Sequence, residues 1–470
     1  MNPCELLFKD TFGHSPSSLS PIPPSGSSRQ YFRLADAAGN HAIGCIGSSA
    51  KENRAFCRLS RSFRDYGVNT PAIYAQSADS LCYLQQDLGA LSLLDVISDG
   101  EESRTVRLLS ESIEMLVRMQ SAPAKIWEPY IFEPPFGRRQ ILWDLNYFKY
   151  EFLKPSSLDF DESALEDDFE QLIASLLADL PKMEGFMMRD CQSRNIMVDT
   201  ADADKVYFID FQGGRRGPAI YDLVSLLFQA KAALPDSLRR RMIDLYAEIY
   251  SRHSSLSAEE IKEMVPRWAV IRLLQTLGAY GFRGLVEHKS HFLTSIPAAM
   301  RSLVSMLERG YLDSYPSLKE ACRRLTLLPR FKGNAAPTGR LRVDVCSFSY
   351  RRGYPEDLSG NGGGFVFDCR AMHNPGRYDE YKQLTGLDLP VIRFLEERGE
   401  VQRFVDGAYA LTAPSLERYL QRGFSSLKIA FGCTGGRHRS AYCAEHLAAR
   451  LAKAFPEAEV VVSHREKDNW

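Results

Sequence analysis

The chain has 470 residues and a mass of 53.1 kDa, more than one ordinary hydrophobic core accommodates, so several domains are expected. Apolar residues make up 44% and charged residues 25%, which excludes wholesale disorder. The 58 basic and 59 acidic side chains leave a net charge of −1, against a chain whose main task is coating nucleic acid or an anionic membrane.

No apolar run approaches the roughly 18–20 residues that a membrane span needs. The opening MNPCELLFKD lacks a basic stretch followed by a long apolar core, so no secretory signal is expected. Ten cysteines occur without a CxxC pair and read as reduced thiols. A cytoplasmic, multidomain enzyme is the expectation.

Residues 1–90 read as a small β-rich lobe. A Ser/Pro-rich stretch, HSPSSLSPIPPSGSS, is the one low-complexity piece. YFRLAD and HAIGCIG are strand-like runs joined by an Ala-Gly-Asn turn. In KENRAFCRLSRSFRDYG, Phe56, Leu59 and Phe63 recur at helical spacing until Gly67 stops the pattern. LCYLQQDLG returns to strand and is broken at Gly89. Residues 91–330 are mostly helical, with one interruption between Phe186 and Phe211. Gly, Asn, Ala, Pro and Thr displace periodic apolar residues over 331–340, which marks a linker. From 341 to 470 strands alternate with helices, as in a small α/β domain.

The interruption carries the chemistry. MRDCQSRNIMV places Asp190 and Asn195 on a loop entering a strand, and VYFIDF puts Asp210 at the end of the next strand. Phosphoryl transfer from ATP needs a carboxylate to orient and deprotonate the attacking hydroxyl. It also needs a carboxylate and an amide oxygen to hold Mg2+. Asp and Asn also occupy turns everywhere. The spacing, the hairpin pattern and the upstream β-rich lobe together favour the phosphoryl-transfer reading. Asp222, in YDL, reads as a buried brace for the catalytic loop.

Two further stretches have candidate binding chemistry. On the helix 138–153, Trp143, Asp144 and Tyr147 combine aromatic faces with a carboxylate, which suits a sugar as well as a core. With Arg194 of the catalytic loop they are the candidate acceptor group. In LKIAFGCTGGRHRSAYCAEHL, a glycine-rich turn leads into a helix N-terminus, where amide groups and arginines bind anions. The same run spells C-x5-R-S, so Cys433 is an alternative nucleophile of the cysteine-phosphatase type.

The first block resembles the aminoglycoside phosphotransferase and choline kinase-like proteins, and more narrowly the bacterial anomeric kinases of N-acetylmuramate and N-acetylglucosamine. SRQYFRL, QQDLG, RDCQSRNIMV and IDFQGGRRGPAIYDLVSLL carry the resemblance over about residues 5–325. It implies Asp190 as catalytic base and Asn195 with Asp210 as magnesium ligands. Ser25, Gly26, Ser27, Ser28 and Arg29 would belong to the loop over the phosphates. Gln85, Gln86 and Leu88 would face adenine, and Glu52 would be the ion-pairing helix glutamate. HAIGCIGSS lacks the third-strand lysine of such folds. Lys51 is the nearest base, and Arg29 or Arg33 would supply the charge. Met188 stands in place of a bracing histidine.

Residues 341–470 resemble the C-terminal domain of the RNase adaptor protein RapZ, through SFSYRRGYPEDLSGNGGGFVFDCRAMHNPGRY, GCTGGRHRS and SHRE. That resemblance implies a phosphosugar pocket of Arg370, Cys433, Thr434, Gly435, Gly436, His438, Arg439 and Ser440, with His464 and Arg465 as neighbours. RNA is a weaker expectation, given the near-zero net charge.

The fold class expected is α+β: a protein-kinase-like fold with a β-rich N-lobe and a mostly helical C-lobe. A separate small α/β domain with a strand–Gly-rich loop–helix anion site follows. The function expected is an ATP- and Mg2+-dependent kinase acting on the anomeric hydroxyl of an N-acetylated amino sugar in cell-wall recycling. The alternative is a regulatory protein that binds nucleotide and phosphosugar, or RNA, without turnover.

Overall fold

The computed structural model describes residues 2–23, 29–202, 204–287, 289–293, 295–328, 331, 340–355, 364–467 and 470. The chain divides into two compact units, Met1–Val286 with Ser295–Phe331, and Lys332–Trp470 with Glu287–Thr294. Most of the expected 331–340 linker lies outside the described residues.

The first unit opens with α1 (Pro3–Phe12), where Asn2 and Glu5 close a capping box. A five-stranded antiparallel sheet follows in the order β1-β2-β3-β5-β4, from β1 (Ser18–Ile22), β2 (Gln30–Ala35), β3 (His41–Ile46), β4 (Ile73–Gln76) and β5 (Cys82–Gln85). β1 falls within the Ser/Pro-rich stretch read above as low complexity. It pairs with β2 from Ser18–Ala35 to Ile22–Tyr31. As an edge strand it tolerates Pro21, which has no N–H to give a ladder. Between β3 and β4 runs α2 (Ala50–Asp65), capped by Ser49, with Phe56, Leu59 and Phe63 buried. Phe56 stacks on Phe211 of the helical lobe, with centroids 5.0 Å apart, and so ties α2 to the chain beside Asp210.

The helical lobe runs through α3 (Leu93–Asp99), α4 (Glu102–Gln120), α5 (Ala124–Trp127), α6 (Arg138–Phe148) and α7 (Glu162–Asp179). Two short antiparallel pairs interrupt it: β6 (Glu184–Met187) with β9 (Arg215–Pro218), and β7 (Ile196–Asp199) with β8 (Lys205–Phe208). Then come α8 (Ile220–Leu227), α9 (Asp236–Ser251) and α10 (Ala258–Tyr280). The segment with α11 (Ser290–Leu293) belongs to the second unit, and α12 (Ile296–Glu308) and α13 (Pro316–Leu327) complete the lobe. Among the described residues no helix is long and apolar enough to cross a membrane.

In the second unit, β10 (Arg342–Ser349), β11 (Gly364–Asp368), β12 (Ser426–Cys433) and β13 (Glu459–His464) form a parallel sheet ordered β11-β12-β10-β13. Its helices are α14 (Leu389–Glu396), α15 (Glu400–Gln421) and α16 (Arg439–Ala454). Val343, Val345, Ile429 and Phe431 of the sheet are buried with Leu447 and Leu451 of α16 in one core. The chain leaves β10 toward one edge of the sheet and β12 toward the other. A crevice at such a switch point, beyond the carboxyl ends of the strands, is where open α/β sheets bind ligands.

Candidate active site

The turn between β6 and β7 holds Asp190 and Asn195, and the turn after β8 holds Asp210. Hairpin pairing brings them together, and the Ile209 N–H donates to the Asn195 carbonyl at 3.0 Å. The Asn195 amide Nδ2 donates to the Asp190 carbonyl at 2.9 Å and lies 3.5 Å from a carboxylate oxygen of both Asp190 and Asp210. Arg189 (φ 70°) and Asp210 (φ 63°) hold left-handed backbone conformations, a strain that persists where the surroundings over-determine it. The over-determining group is Asp222, at 0% exposure, which accepts the N–H groups of Met188 at 2.7 Å and Arg189 at 2.9 Å. Burial pushes its carboxyl up to about 7.

Asp190 is ringed by cations and amides. Gln192 donates to it, Arg194 pairs with it at 3.3 Å, and Arg272 of α10 lies 3.5 Å away. Its side chain is 38% exposed, so an acceptor hydroxyl has access. Arg194, grouped by sequence with the acceptor residues, lines a cleft together with Asn195 and Asp210.

A cleft of about 620 Å³ lies between the sheet and these turns, within the size range of small-molecule sites. Ile22, Ile43, Leu88, Met197 and Ile209 give it apolar walls. Gln85 and Gln86 line it as well, and the buried Gln85 Oε1 has no hydrogen-bond partner among the described residues. Gln86 is tied down, with its backbone N–H on the Ala72 carbonyl and its side-chain oxygen accepting the Ala72 N–H. Ser25, Gly26, Ser27 and Ser28 lie outside the described residues.

The two arginines and the lysine considered for the missing strand lysine separate clearly. Arg33 pairs with Asp87 at 2.7 Å and with the Gly89 carbonyl at 2.9 Å, bracing the turn that follows β5. Lys51 sits over the Phe132 ring, 4.5 Å from its centroid. Arg29, 8% exposed, pairs with Glu52 of α2 at 2.6 Å.

On the other side of Asp190 lies a buried polar cluster. Asp144 of α6, 3% exposed, accepts from Arg189 at 3.2 Å, and its Oδ2 has no partner among the described residues. Burial pushes Asp144 up to about 6, against the opposing pull of Arg189, Arg272 and Arg215. Arg215 pairs with Glu133 at 3.2 Å and leaves its buried Nε without a partner among the described residues. Trp143 does not join this cluster: it is 68% exposed, and a helix advances about 100° per residue, so its side chain turns away from Asp144. Tyr147 packs at a tilt against Phe282, with centroids 6.3 Å apart. Arg215 and Arg272 beside Asp144, and Glu133 beside Arg215, had no local sequence signal, because only tertiary packing brings these groups together.

The site has hard oxygen donors for a magnesium ion. Asp210 is held above the usual carboxylate range by burial, with the charge of Asp190 adding to the rise. A divalent cation would offset both: Asp210 would hold it through its carboxylate, and Asn195 through its amide oxygen once the amide, whose nitrogen faces the two carboxylates here, is turned over.

In the second unit the loop Thr434–His438 joins β12 to α16. The Gly436 N–H donates to the Cys433 sulfur at 3.2 Å, and Cys433 meets Ser440 Oγ at 3.1 Å. Gly436 has φ +72°, and a Cβ there would strike Glu466. Thr434 and Gly435 form the exposed tip, and Ser349 of β10 holds the Thr434 carbonyl at 2.7 Å. Two expected anion donors face elsewhere. Arg439, 4% exposed, donates to the carbonyls of Arg370 and Met372, both at 2.8 Å. His438 meets the Tyr381 carbonyl at 2.9 Å, and burial holds it below the usual histidine range. Arg439 thus gives Nη1 to the backbone, while its buried Nε has no partner among the described residues. The Arg370 side chain pairs with Asp368 at 2.7 Å and lies over Tyr350, 4.1 Å from the ring centroid. His464 bridges Ser347 and Glu445, and Arg465 bonds the Ser349 carbonyl.

The phosphotransferase enzyme family pattern matches residues 18–256, and the RapZ C-terminal domain pattern matches residues 341–468. Curated relatives include nucleotide-binding proteins of Burkholderia cenocepacia, 42% identical over 126 residues, and Burkholderia lata, 43% identical over the same length. Each match takes in 27% of this chain and 39% of the relative, so the chain spans well under half of the relatives it matches. Among solved structures, an aminoglycoside phosphotransferase with GDP and kanamycin aligns with 64% of this chain and 98% of its own (13% identity, TM-score 0.47). An ethanolamine kinase of Plasmodium vivax aligns with 71% and 86% (13% identity, TM-score 0.44). The chain belongs to the phosphotransferase enzyme family, with a kinase-like fold, and carries a RapZ C-terminal domain behind it.

Proposed function

We propose that the first unit is an ATP- and magnesium-dependent kinase that phosphorylates the anomeric hydroxyl of an N-acetylated amino sugar, N-acetylmuramate or N-acetylglucosamine, for cell-wall recycling. The second unit binds an amino-sugar phosphate. The observation that carries the kinase reading is the Asn195 amide lying 3.5 Å from a carboxylate oxygen of both Asp190 and Asp210, at the edge of a nucleotide-sized cleft.

In this reading Asp190 orients the acceptor hydroxyl and takes its proton as the oxygen bonds to the γ-phosphorus and ADP leaves. Asn195 and Asp210 would hold the metal, which when bound neutralises charge on the phosphates. Arg194 lies where it can meet the transferring group, and Gln85 offers an acceptor to an adenine amine. Asp144 has an unused carboxylate oxygen for a sugar N–H or hydroxyl. Arg189, Arg215 and Arg272 crowd the same side, an arrangement that repels a polycationic aminoglycoside or a quaternary amine.

One observation favours a second reading, a regulatory binding protein without turnover: Cys45 and Ile43 occupy the cleft side of β3, where a lysine would be expected. ATP consumption with magnesium separates the two, measured across N-acetylglucosamine, N-acetylmuramate, glucosamine, choline and an aminoglycoside, with phosphorus NMR of the product. Turnover confined to the N-acetylated sugars, giving an anomeric phosphate, is expected. ATP binding without turnover on any acceptor would sink the kinase reading.

A further inference from the structure

We propose that the outer face of α2 is a docking surface for a partner protein, and that the segment it takes is an acidic helix whose carboxylates recur at helical spacing. The proposal stands apart from the kinase reading, because the surface lies on the solvent side of α2, opposite the side that carries Phe56 to the cleft.

The inner side of α2 buries Asn53, Phe56, Leu59 and Phe63. Its exposed residues are Lys51, Arg54, Arg58, Arg61, Arg64 and Asp65, so the solvent side is almost wholly cationic. Lys51, Arg54, Arg58 and Arg61 follow one another at steps of 3, 4 and 3 residues, which sets them in one row along the helix. At a rise of about 1.5 Å per residue the row is about 15 Å long.

Helix stability does not account for this row. Like charges at these spacings repel one another. Lys51 also stands in the first turn, where the positive end of the helix dipole opposes a cation. Nearby carboxylates serve other cations: Glu52 pairs with Arg29, Glu128 with Arg216 and Glu133 with Arg215. Among the described residues none of the four row members has an ion-pair partner. Lys51 and Arg58 lie instead over the rings of Phe132 and Tyr130, 4.5 and 5.9 Å from the centroids. Side chains held in this way lose less freedom when a partner binds them.

The charge balance of the chain decides which anion fits. With 58 basic against 59 acidic side chains, a long nucleic acid that reaches past the row meets a surface with no net positive charge. A short acidic segment meets the row alone. The spacing then selects its shape. Alternating steps of 3 and 4 form one seam, and a helix with acids at the same steps faces all four cations together. An extended segment would turn every second side chain away. Three of the four cations are arginines, whose planar forks take carboxylates in bidentate pairs.

The test uses the full chain and fluorescence anisotropy with two synthetic alanine-based helical peptides. One has four glutamates at the spacing of the row, and the other has the same glutamates spread around the helix. The patterned peptide is expected to bind about tenfold more tightly than its isomer, and to weaken about tenfold between about 50 and about 200 mM salt. Arg54→Gln combined with Arg58→Gln is expected to abolish the preference between the peptides. Both positions are exposed, so an unshifted melt is expected to accompany the loss. Should that pair fold poorly, Arg61→Gln alone is the second variant, with the preference reduced about threefold. Equal binding of the two peptides to the native chain overturns the proposal, as does an unchanged preference in the variants. An RNA duplex that outcompetes the patterned peptide, and is lost in the same variants, would assign the row to nucleic acid and overturn it as well. A dimer of the native chain in sedimentation that dissociates in Arg54→Gln, Arg58→Gln would overturn it in favour of a second copy.

Discussion

Asp222→Asn tests how the catalytic loop is held. The native carboxylate gives one oxygen to the Met188 N–H at 2.7 Å and the other to the Arg189 N–H at 2.9 Å, with no exposure to water. Asparagine keeps the shape but replaces one acceptor with an NH2 donor. One backbone N–H then faces a donor and goes unpaired, at about 1–3 kcal/mol for a buried donor. Arg189 also loses part of what holds it at φ 70°, a conformation that costs about 1–3 kcal/mol on its own. The expected result is about 2–4 kcal/mol of lost stability in urea unfolding. Asp190 follows directly on Arg189, so kcat should fall at least about tenfold while ATP affinity is retained. Unfolding within about 0.5 kcal/mol of native, together with an unchanged kcat, would refute the bracing role.

Other outcomes follow from the same geometry. Asp190→Asn should lower turnover by about 10²–10⁴-fold with ATP binding intact, read by steady-state kinetics and calorimetry; unchanged turnover would remove Asp190 from the mechanism. Asp144, raised to about 6 by burial, takes up a proton more readily folded than unfolded. Its contribution is therefore complete below about pH 4 and lost as pH rises through about 6, worth about 3 kcal/mol. Asp144→Asn should flatten that part of the stability–pH curve, and an unaltered slope there would contradict it. Arg439→Met leaves the part-buried Arg370 carbonyl and the buried Met372 carbonyl without their donor, so melting of the second unit should show a loss of about 1–3 kcal/mol. An unshifted melt would mean those bonds are not structural.

The candidate constellation was legible because it is local. Asp190, Asn195 and Asp210 lie within one loop and one hairpin, so their spacing along the chain nearly is their spacing in space. The strands of the second unit were legible too, since the buried central strands β10 and β12, like their half-exposed neighbours, read as short apolar runs. β1 was not: an edge strand needs only a partner's backbone, and Ser18–Ile22 has neither alternation nor β-branched residues beyond its last position. The neighbour of a polar group is the least legible feature. Arg29 and Glu52 are 23 residues apart, Asp144 and Arg189 are 45 apart, and Arg439 and the Arg370 carbonyl are 69 apart. Arg439 has the look of a phosphate ligand in its motif, yet its Nη1 donates to two backbone carbonyls; Arg29 and Arg33 look alike as candidate cations, yet one pairs with Glu52 and the other with Asp87. Composition and spacing set out a multidomain chain, the local grouping of Asp190, Asn195 and Asp210, and a second glycine-rich loop leading into a helix. Which charges serve that chemistry and which brace the fold was decided only by tertiary packing, because a buried charge takes its role from whatever partner the fold places within reach.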